Sequence, residues 1–455
     1  MSITRRSLAG LLGAAAVLPG AVWAQQDPVL EAVRSTLYGS TSEFEQGMAI
    51  LIQRGNPDVV PALITGMRYG QRRRDEIAEV MQALTNENLG TDWFDWMLWQ
   101  EKNAQLVPHP SLIPFKREVL LGIDTNFDDF LRPEYLQRDK MKIRLEEISW
   151  GGVVKDGIPS LDNPKLIPAS RADYLKDDDL VFGVSINGDK RAYPLRIMGW
   201  HEMFNDVIGG VPVALAYCTL CGSGILFETQ VAGRRKPLVF GSSGFLYRSN
   251  KLMFDRDTHS LWNQYTGQPV VGPLVNNGIE LKQRPVVITT WASWKTSHPD
   301  TRVLSLKTGH RRNYGSGVVY QEYFASPELM FPVLVDQSRH QQKDYVFAVR
   351  QFGAARAWPL DAFNQTRVIN DAIGNRQLVL IGNPDKRAVR AYERQSHRFT
   401  AADGGLVDET GRKWTLTEES LIGPDGTRLS RVAGHISYWF AWDNYLGDAA
   451  SVYRG

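Results

Sequence analysis

The chain has 455 residues, of which 43% are apolar and 22% charged, a composition typical of a globular protein with two or three domains. Its 52 lysine and arginine residues nearly balance its 50 aspartate and glutamate residues, and neither sign forms a long run. This balance excludes the basic face that a nucleic-acid-binding protein needs to offset phosphate charge. We therefore expect no nucleic-acid partner.

The first 24 residues have the features of an export signal. The motif TRRSL, which contains Arg5 and Arg6, precedes an apolar run of about fifteen residues and then small residues before Ala24. The run is too short for an ordinary transmembrane anchor. We predict a twin-arginine signal peptide over residues 1–24 and a periplasmic mature protein without a transmembrane anchor. A Sec signal that carries two arginines is the alternative.

Residues 25–140 are predicted to form a helical region. Segments such as PVLEAVRSTLYG and SEFEQGMAILIQRG place apolar residues at i, i+3 and i+4 spacing, and glycine or proline separates the segments. This is the pattern of short amphipathic helices. Such a region could also hold a protein partner.

Beyond residue 140 the pattern changes to short strands, and these strands form an internal repeat. The segment that begins LVFGVSINGDKRAYPL at Leu180 aligns without a gap with YVFAVRQFGAARAWPL at Tyr345, at an offset of 165 residues. The match includes Pro194 with Pro359. We predict an α+β fold in which the helical region is followed by two tandem copies of one β-rich module, the second degenerate. The predicted boundaries are 141–309 for the first copy, 310–342 for a linker and 343–455 for the second copy.

The two copies differ where chemistry is expected. The only cysteines of the chain, Cys218 and Cys221, align with Asn383 and Lys386, and His201 aligns with Thr366. Residues that both copies share, such as Asn205/Asn370, Asp206/Asp371 and Trp262/Trp414, are assigned structural roles. Since the module is expected to fold without the histidine and the cysteines, those three residues are predicted to serve a function.

A transition-metal site is the first interpretation of these residues. Two thiolates and one imidazole suit copper, zinc or iron, with copper preferred, and glycines after the C-x-x-C let backbone N–H groups point at sulfur. The predicted ligands are Cys218, Cys221 and His201. Candidates for one further ligand are His259, Met253, Asp255 and Glu202. The protein would then be a metalloenzyme or a metal-delivery factor, and its substrate stays open.

Thiol–disulfide exchange at Cys218 and Cys221 is the second interpretation, because C-x-x-C is the usual spacing of redox dithiols. An inert structural disulfide is disfavoured, since the loop is too short to contribute much chain entropy. A third interpretation is a non-catalytic interaction module. The sequence does not decide whether the protein is an enzyme.

The run from Ala192 to Asp300 resembles the DUF3179 family. The resemblance rests on AYPLRIMGWHEMFNDVIGGVPVALAYCTLCGSG, on FGSSGFLYRSNKLMFDRDTHSLWNQYTGQPVVGP and on TTWASWKTSHPD. The family usually has proline after the first cysteine, where this chain has Thr219, and this difference bears on metal affinity or redox potential. The resemblance implies an exported bacterial protein with a His/Cys/Cys site, and it names no reaction.

Overall fold

The computed structural model describes residues 27–402, 405–447 and 450–455. The predicted signal peptide, residues 1–24, lies outside these residues. Within the described ranges, no helix has the length and apolar character needed to cross a bilayer.

The N-terminal part is helical, as its amphipathic pattern predicts. Its helices end at glycine or asparagine in several places and begin with capping side chains; Ser40 and Glu43 form a reciprocal capping box at the second one. The α-helices are α1 (Pro28–Tyr38), α2 (Thr41–Arg54), α3 (Val60–Tyr69), α4 (Arg74–Thr85), α5 (Trp93–Lys102) and α6 (Leu112–Ile123). Single turns of 3₁₀ helix connect α6 to the β-rich part.

The first β-rich copy forms three sheets. Its strands are β1 (Ile148–Trp150), β2 (Leu161–Asp162), β3 (Leu166–Pro168), β4 (Leu180–Ile186), β5 (Asp189–Pro194), β6 (Met203–Ile208), β7 (Val211–Cys218), β8 (Ser223–Glu228), β9 (Phe240–Tyr247), β10 (Asn250–Asp255), β11 (Leu261–Asn263), β12 (Gln268–Val271), β13 (Gln283–Arg284), β14 (Val287–Thr290) and β15 (Arg302–Leu304). Helices α7 (Leu195–His201) and α8 (Trp291–Ser297) complete it. The strand orders are β1-β9-β10-β11-β12, β13-β8-β7-β6-β2 and β14-β4-β5-β15-β3.

The described residues of the second copy repeat this arrangement in part, with one four-stranded and one eight-stranded sheet. Its elements, after α9 (Gln321–Ala325), are β16 (Tyr345–Gln351), β17 (Ala354–Pro359), β18 (Val368–Ile373), β19 (Arg376–Asn383), β20 (Ala388–Glu393), β21 (Phe399–Ala402), β22 (Gly405–Asp408), β23 (Lys413–Leu416), β24 (Ser420–Ile422), β25 (Arg428–Val432), β26 (His435–Tyr438), α10 (Trp439–Leu446) and β27 (Ser451–Val452). Sheet β26-β16-β17-β27 matches β14-β4-β5-β15, including the parallel pairing of its last two strands. The fold is thus α+β with two tandem copies of one module.

The residues shared by the copies make the same contacts in both. The side-chain amide of Asn205 donates to the carbonyl of Phe240 and accepts from its N–H, both at 2.9 Å. Asn370 forms the same two hydrogen bonds with Phe399, both at 2.8 Å. Both asparagines therefore join neighbouring strands by satisfying buried backbone groups.

A second shared pair orients the hairpin strands. Asp206 accepts hydrogen bonds from Arg191 and Tyr193, and Asp371 accepts them from Arg356 and Trp358. The indole N–H groups of Trp262 and Trp414 likewise donate to a buried aspartate in each copy, at 2.9 and 3.0 Å. These contacts are structural, because they recur with the same geometry in a copy that lacks the cysteines.

The helical region packs directly on the first copy. Phe127 and Phe130 contact Phe245 of β9, and Phe130 also contacts Phe254 of β10. Strand β1 adds to the edge of β9 in antiparallel register. The two copies also contact each other, since β26 packs against β8 and β14 against β20.

Residues 310–342, which we call the strap, pack against both copies. The indole of Trp200 donates to Asn313 of the strap, and the indole of Trp439 in the second copy donates to Asp336. The strap contains helix α9, whose Tyr323 donates a hydrogen bond to Leu220 of the first copy. It therefore covers part of the surface on which the cysteines lie.

Candidate functional site: a buried dithiol

Both cysteines lie in the tight turn of one antiparallel hairpin. Strand β7 ends at Cys218, which is paired with Ser223 at the start of β8, so residues 219–222 form the turn. Gly222 adopts φ +60° and its N–H donates to the carbonyl of Thr219 at 3.2 Å. Glycine suits this left-handed position because it has no Cβ to clash. The turn brings the two side chains to the same side of the hairpin.

The two sulfur atoms face each other in the protein interior. They lie 3.1 Å apart as free thiols, and the residues are only 2% and 0% exposed. The nearest elements are β10 and the left-handed turn before it, which contribute Ser249, Asn250 and Lys251. A disulfide would require the sulfurs to approach by about 1 Å more, a small movement for a flexible turn.

The surroundings make the two thiols unequal. Burial raises the pKa of Cys218, but a hydrogen bond from the Cys221 thiol and the backbone N–H groups of Lys251 and Cys221 outweigh burial and lower it. Burial and the neighbouring Cys218 sulfur raise the pKa of Cys221 well above its usual value, although Asn250 donates to its sulfur at 3.2 Å. Cys218 is therefore the sulfur that carries the negative charge first, and Cys221 keeps its proton.

A buried ion pair lies beside the thiols. The carboxylate of Glu202 accepts a hydrogen bond from the ammonium group of Lys251 at 3.0 Å, and the two residues are 6% and 3% exposed. Its other oxygen accepts hydrogen bonds from the hydroxyls of Thr219 at 2.8 Å and Tyr320 at 3.2 Å. The negative charge of Glu202 raises the pKa of both thiols. The four residues of this network, the ion pair included, come from the hairpin turn, β10, the end of α7 and the strap.

The strap closes the site from outside. The hydroxyl of Tyr323 donates to the carbonyl of Leu220, which lies between the cysteines, at 2.7 Å. Tyr320 contacts Glu202, as described above. On the opposite side, Tyr265 and Tyr445 stack with centroids 5.5 Å apart, and their phenol pKa values are raised by burial and by the charge of Cys221. Aromatic side chains from the strap and from both copies thus lie around the dithiol and its ion pair.

His201 has partners other than the cysteines. Its Nδ1 lies 2.9 Å from the carbonyl of Pro159, and its Nε2 lies 2.6 Å from the hydroxyl of Tyr314 in the strap. A carbonyl can only accept, so Nδ1 carries the proton and Nε2 accepts from Tyr314. Burial lowers the pKa of His201 to about 4, so the ring is neutral. Both nitrogens that could bind a metal are occupied by hydrogen bonds.

The further candidate ligands have different surroundings. Glu202 lies beside the cysteines, whereas the carboxylate of Asp255 accepts hydrogen bonds from Trp262 and Thr258, and His259 lies 3.6 Å from Asp129. Met253 is buried on β10, in the same apolar cluster as both cysteines. In the described part of the chain, no three His, Cys, Asp or Glu side chains converge in an arrangement that could hold a metal ion. The predicted His/Cys/Cys cluster is therefore not assembled in this conformation.

Several residues of the site were not predicted from the sequence. Lys251 is a charged residue directly before the apolar run LMF in a fully buried strand, and that mismatch is a signal that could have indicated it. Thr219 was singled out only because it replaces the proline usual in the family. Asn250 and the strap tyrosines carry no such signal, since their types are common in turns and polar segments.

The equivalent turn of the second copy keeps the backbone without the thiols. Asn383 of β19 is paired with Ala388 of β20, as Cys218 is paired with Ser223. Arg387, which aligns with Gly222, adopts φ +50°, close to the +60° of the glycine. The turn therefore does not need cysteines for its shape.

Comparison with known proteins places both copies in one family. A family model described as "Protein of unknown function (DUF3179)" matches residues 155–449, which is well over half of the chain and includes both copies. No curated protein and no solved structure matches the chain. The resemblance predicted from the residues around the cysteines is confirmed, and the chain belongs to the DUF3179 family.

Proposed function

We propose that Cys218 and Cys221 form a redox-active dithiol that oxidises to an intrachain disulfide. The observation that carries this proposal is the approach of two free, buried sulfurs to 3.1 Å within one hairpin turn. The lowered pKa of Cys218 and the raised pKa of Cys221 support it, because a dithiol needs one nucleophilic thiolate and one partner that retains its proton.

The burial of the site favours a small oxidant. Exchange with a protein disulfide requires direct contact between sulfurs, and the residues are at most 2% exposed. A hydroperoxide is small enough to reach a buried thiolate. In the periplasm, where the predicted signal would deliver the chain, the disulfide would persist until a small thiol reduced it.

The chemical step balances with a hydroperoxide as oxidant. The Cys218 thiolate attacks one oxygen of the peroxide, the O–O bond breaks, and Cys218 becomes a sulfenic acid while an alcohol or water leaves. The sulfur of Cys221 then attacks the Cys218 sulfur, and the sulfenic oxygen leaves as water with the proton of Cys221. Two thiols and one hydroperoxide thus yield one disulfide, one alcohol and one water.

Binding of a soft metal ion is the second candidate function. The two thiols lie on the same side of one turn, and two thiolates suit copper(I) better than zinc or iron. Of the further predicted ligands, Glu202 accepts a hydrogen bond from Thr219 of the cysteine turn, and Met253 lies in the same buried cluster as the cysteines. His201 would have to leave Pro159 and Tyr314 before it could bind the same ion. The geometry therefore supports the dithiol better than a His/Cys/Cys metal centre.

One experiment separates the two candidates. The reduced protein is analysed for bound copper, zinc and iron, and its thiols are counted before and after one equivalent of hydrogen peroxide. The dithiol proposal expects a metal-free protein that loses both thiols and about 2 Da in mass. Cys221→Ser should stop at a sulfenic acid that dimedone traps, whereas Cys218→Ser should react far more slowly.

Two results would overturn the dithiol proposal. One is a stoichiometric metal ion that both cysteine variants lose, which would establish the metal site. The other is a metal-free protein whose two thiols react with hydrogen peroxide no faster than the thiol of an ordinary buried cysteine.

A further inference from the structure

A cavity lies between the two copies, against the outer face of the cysteine turn. Its volume is about 430 Å³, within the usual range for small-molecule sites. The lining residues that matter below are Leu195, Tyr217, Ile288, Phe324, Tyr345 and Arg387. They come from the first copy, the strap and the second copy, so the cavity exists only because the module is duplicated.

The two equivalent turns meet at this cavity with different residues. Gly222 of the first turn has no side chain, and a Cβ there would lie 3.2 Å from the ring of Tyr438 and 3.4 Å from that of Tyr345. Arg387, at the equivalent position of the second turn, instead places a long cationic side chain along the cavity wall. Because Gly222 has no side chain, the first turn leaves space in the cavity. The second turn contributes the positive charge of Arg387 to that space.

Arg387 is a cation without an acidic partner among the described residues. Its guanidinium carbon lies 4.5 Å from the centre of the Tyr345 ring, and its charge also acts on the hydroxyl groups of Tyr217 and Tyr438. Arg196, the other arginine of the cavity, pairs with Asp179 at 2.9 Å and donates to two backbone carbonyls. Arg387 is therefore the group in this cavity that can pair with an anion.

We propose that the cavity binds a small organic carboxylate with an apolar body. The carboxylate pairs with the guanidinium of Arg387, which matches it in a bidentate manner. The apolar body packs against Leu195, Ile288 and Phe324. A phosphate ester fits less well, because one unpaired cation cannot neutralise a doubly charged group. Asp178, exposed at the rim, disfavours higher negative charge further.

The site is independent of the proposed thiol chemistry. The cation–π contact between Arg387 and Tyr345, which both belong to the second copy, would also exist if Arg387 served only to pack its own turn. Binding of a carboxylate distinguishes the two roles, because a purely structural arginine confers no affinity for anions.

The probe is benzoate, titrated calorimetrically into the full chain, with benzamide as its neutral counterpart of the same shape. We expect saturable binding of benzoate at millimolar concentration and roughly tenfold weaker binding by Arg387→Gln, the loss expected for one charge-assisted pair. Arg376→Gln is the matched control, since Arg376 also lies over an aromatic ring, 5.4 Å from the centre of Phe352, but outside the cavity. It should bind benzoate as the parent protein does.

A second variant guards against loss of folding. Phe324 is 41% exposed, so Phe324→Ala should fold, and it should weaken benzoate and benzamide alike by removing apolar contact. The proposal is overturned if benzoate shows no saturable binding, or if Arg387→Gln binds it as tightly as the parent. It is also overturned if inorganic phosphate binds more tightly than benzoate.

Discussion

The turn that carries Cys218 and Cys221 and its counterpart, residues 383–387 of the second copy, differ in chemistry rather than in backbone. Both close a hairpin in the same register, and both end with a residue of positive φ. In the first copy the turn faces inwards to a buried ion pair, whereas in the second copy it carries exposed or half-buried charges. The comparison teaches that this hairpin keeps its backbone without the cysteines, so the fold does not depend on them.

The same comparison extends to the residues beside each turn. Glu202 of the first copy is buried with Lys251, while the aligned Arg367 is exposed and pairs with Asp385 at 3.1 Å. The predictions below compare such pairs of positions, beginning with the largest expected effect.

Removing the buried ammonium should destabilise the first copy strongly. Lys251→Met leaves the carboxylate of Glu202 without its cation in a buried site, and we expect a loss of about 3 kcal/mol in the free energy of unfolding. The double variant Lys251→Met/Glu202→Gln should recover most of that loss. Arg367→Met, at the exposed pair, should change stability little. Urea denaturation of the four proteins measures this, and equal losses from Lys251→Met and Arg367→Met would contradict the difference between the copies.

Acid should destabilise the protein through His201, whose aligned residue in the second copy is Thr366. Its folded-state pKa of about 4 lies below the ordinary value of 6.5, so between these values the unfolded chain binds a proton that the folded chain does not. The stability is therefore present above about pH 6.5 and lost as the pH falls towards 4, by about 3 kcal/mol.

His201→Gln isolates this contribution, because glutamine can donate to Pro159 and accept from Tyr314 without titrating. His435, with a pKa lowered by burial to about 3, contributes in the same direction in both proteins and cancels in the difference. As the pH falls from neutral towards 4, the free energy of unfolding of the parent should decrease more than that of His201→Gln. Parallel curves would show that His201 is not held neutral by burial.

Neutralising Glu202 should make Cys218 a stronger acid. The carboxylate raises the pKa of both thiols, so Glu202→Gln should lower the pH at which the first thiolate forms. Thiolate absorbance near 240 nm, followed against pH, measures this midpoint. Arg367→Gln provides the matched control at the aligned position and should leave the midpoint unchanged. A midpoint that rises in Glu202→Gln would contradict the conclusion that the Glu202 carboxylate raises the pKa of the thiols.

The smallest effect concerns the glycine that separates the turn from the tyrosines. Gly222→Ala places a Cβ at φ +60° and 3.2 Å from Tyr438, whereas Gly233→Ala has a φ of +80° and open space around it. Both variants incur the cost of a left-handed residue, about 1 kcal/mol, and only Gly222→Ala also crowds the aromatic rings. Thermal unfolding should therefore place Gly222→Ala below Gly233→Ala. Equal unfolding midpoints for the two variants would mean that the tyrosine rings move away from the added Cβ without a loss of stability.

Much of the architecture could be predicted because it is encoded in local patterns. The offset of 165 residues identified the two copies, since equivalent residues such as Asn205 and Asn370 must form the same strand-to-strand hydrogen bonds. Apolar spacing identified the helices of the N-terminal region, whose single buried faces produce that period. The contrast between Cys218 and Asn383 also singled out the cysteine turn as the candidate site before any geometry was considered.

The surroundings of the cysteines could not be predicted, because they depend on contacts between distant segments. Lys251 reaches Glu202 from 49 residues away, and Tyr320 reaches it from 118 residues away. Spacing in the sequence places His201 close to the cysteine strand, but the direction of its ring was decided by the end of α7, where Glu202 adopts φ +53°. Because the chain changes direction at Glu202, the Glu202 carboxylate points towards the cysteine turn. The His201 imidazole instead forms hydrogen bonds with Pro159 and Tyr314.

The sequence by itself determined the duplicated module, the helical region before it and the position of the two thiols, because these follow from periodicity and from comparison of the copies. Only the tertiary structure decided which groups surround the thiols, how the strap covers them and where the cavity with Arg387 lies. The physical reason is that side-chain partners are selected by packing across long loops, and such packing leaves no regular spacing in the chain.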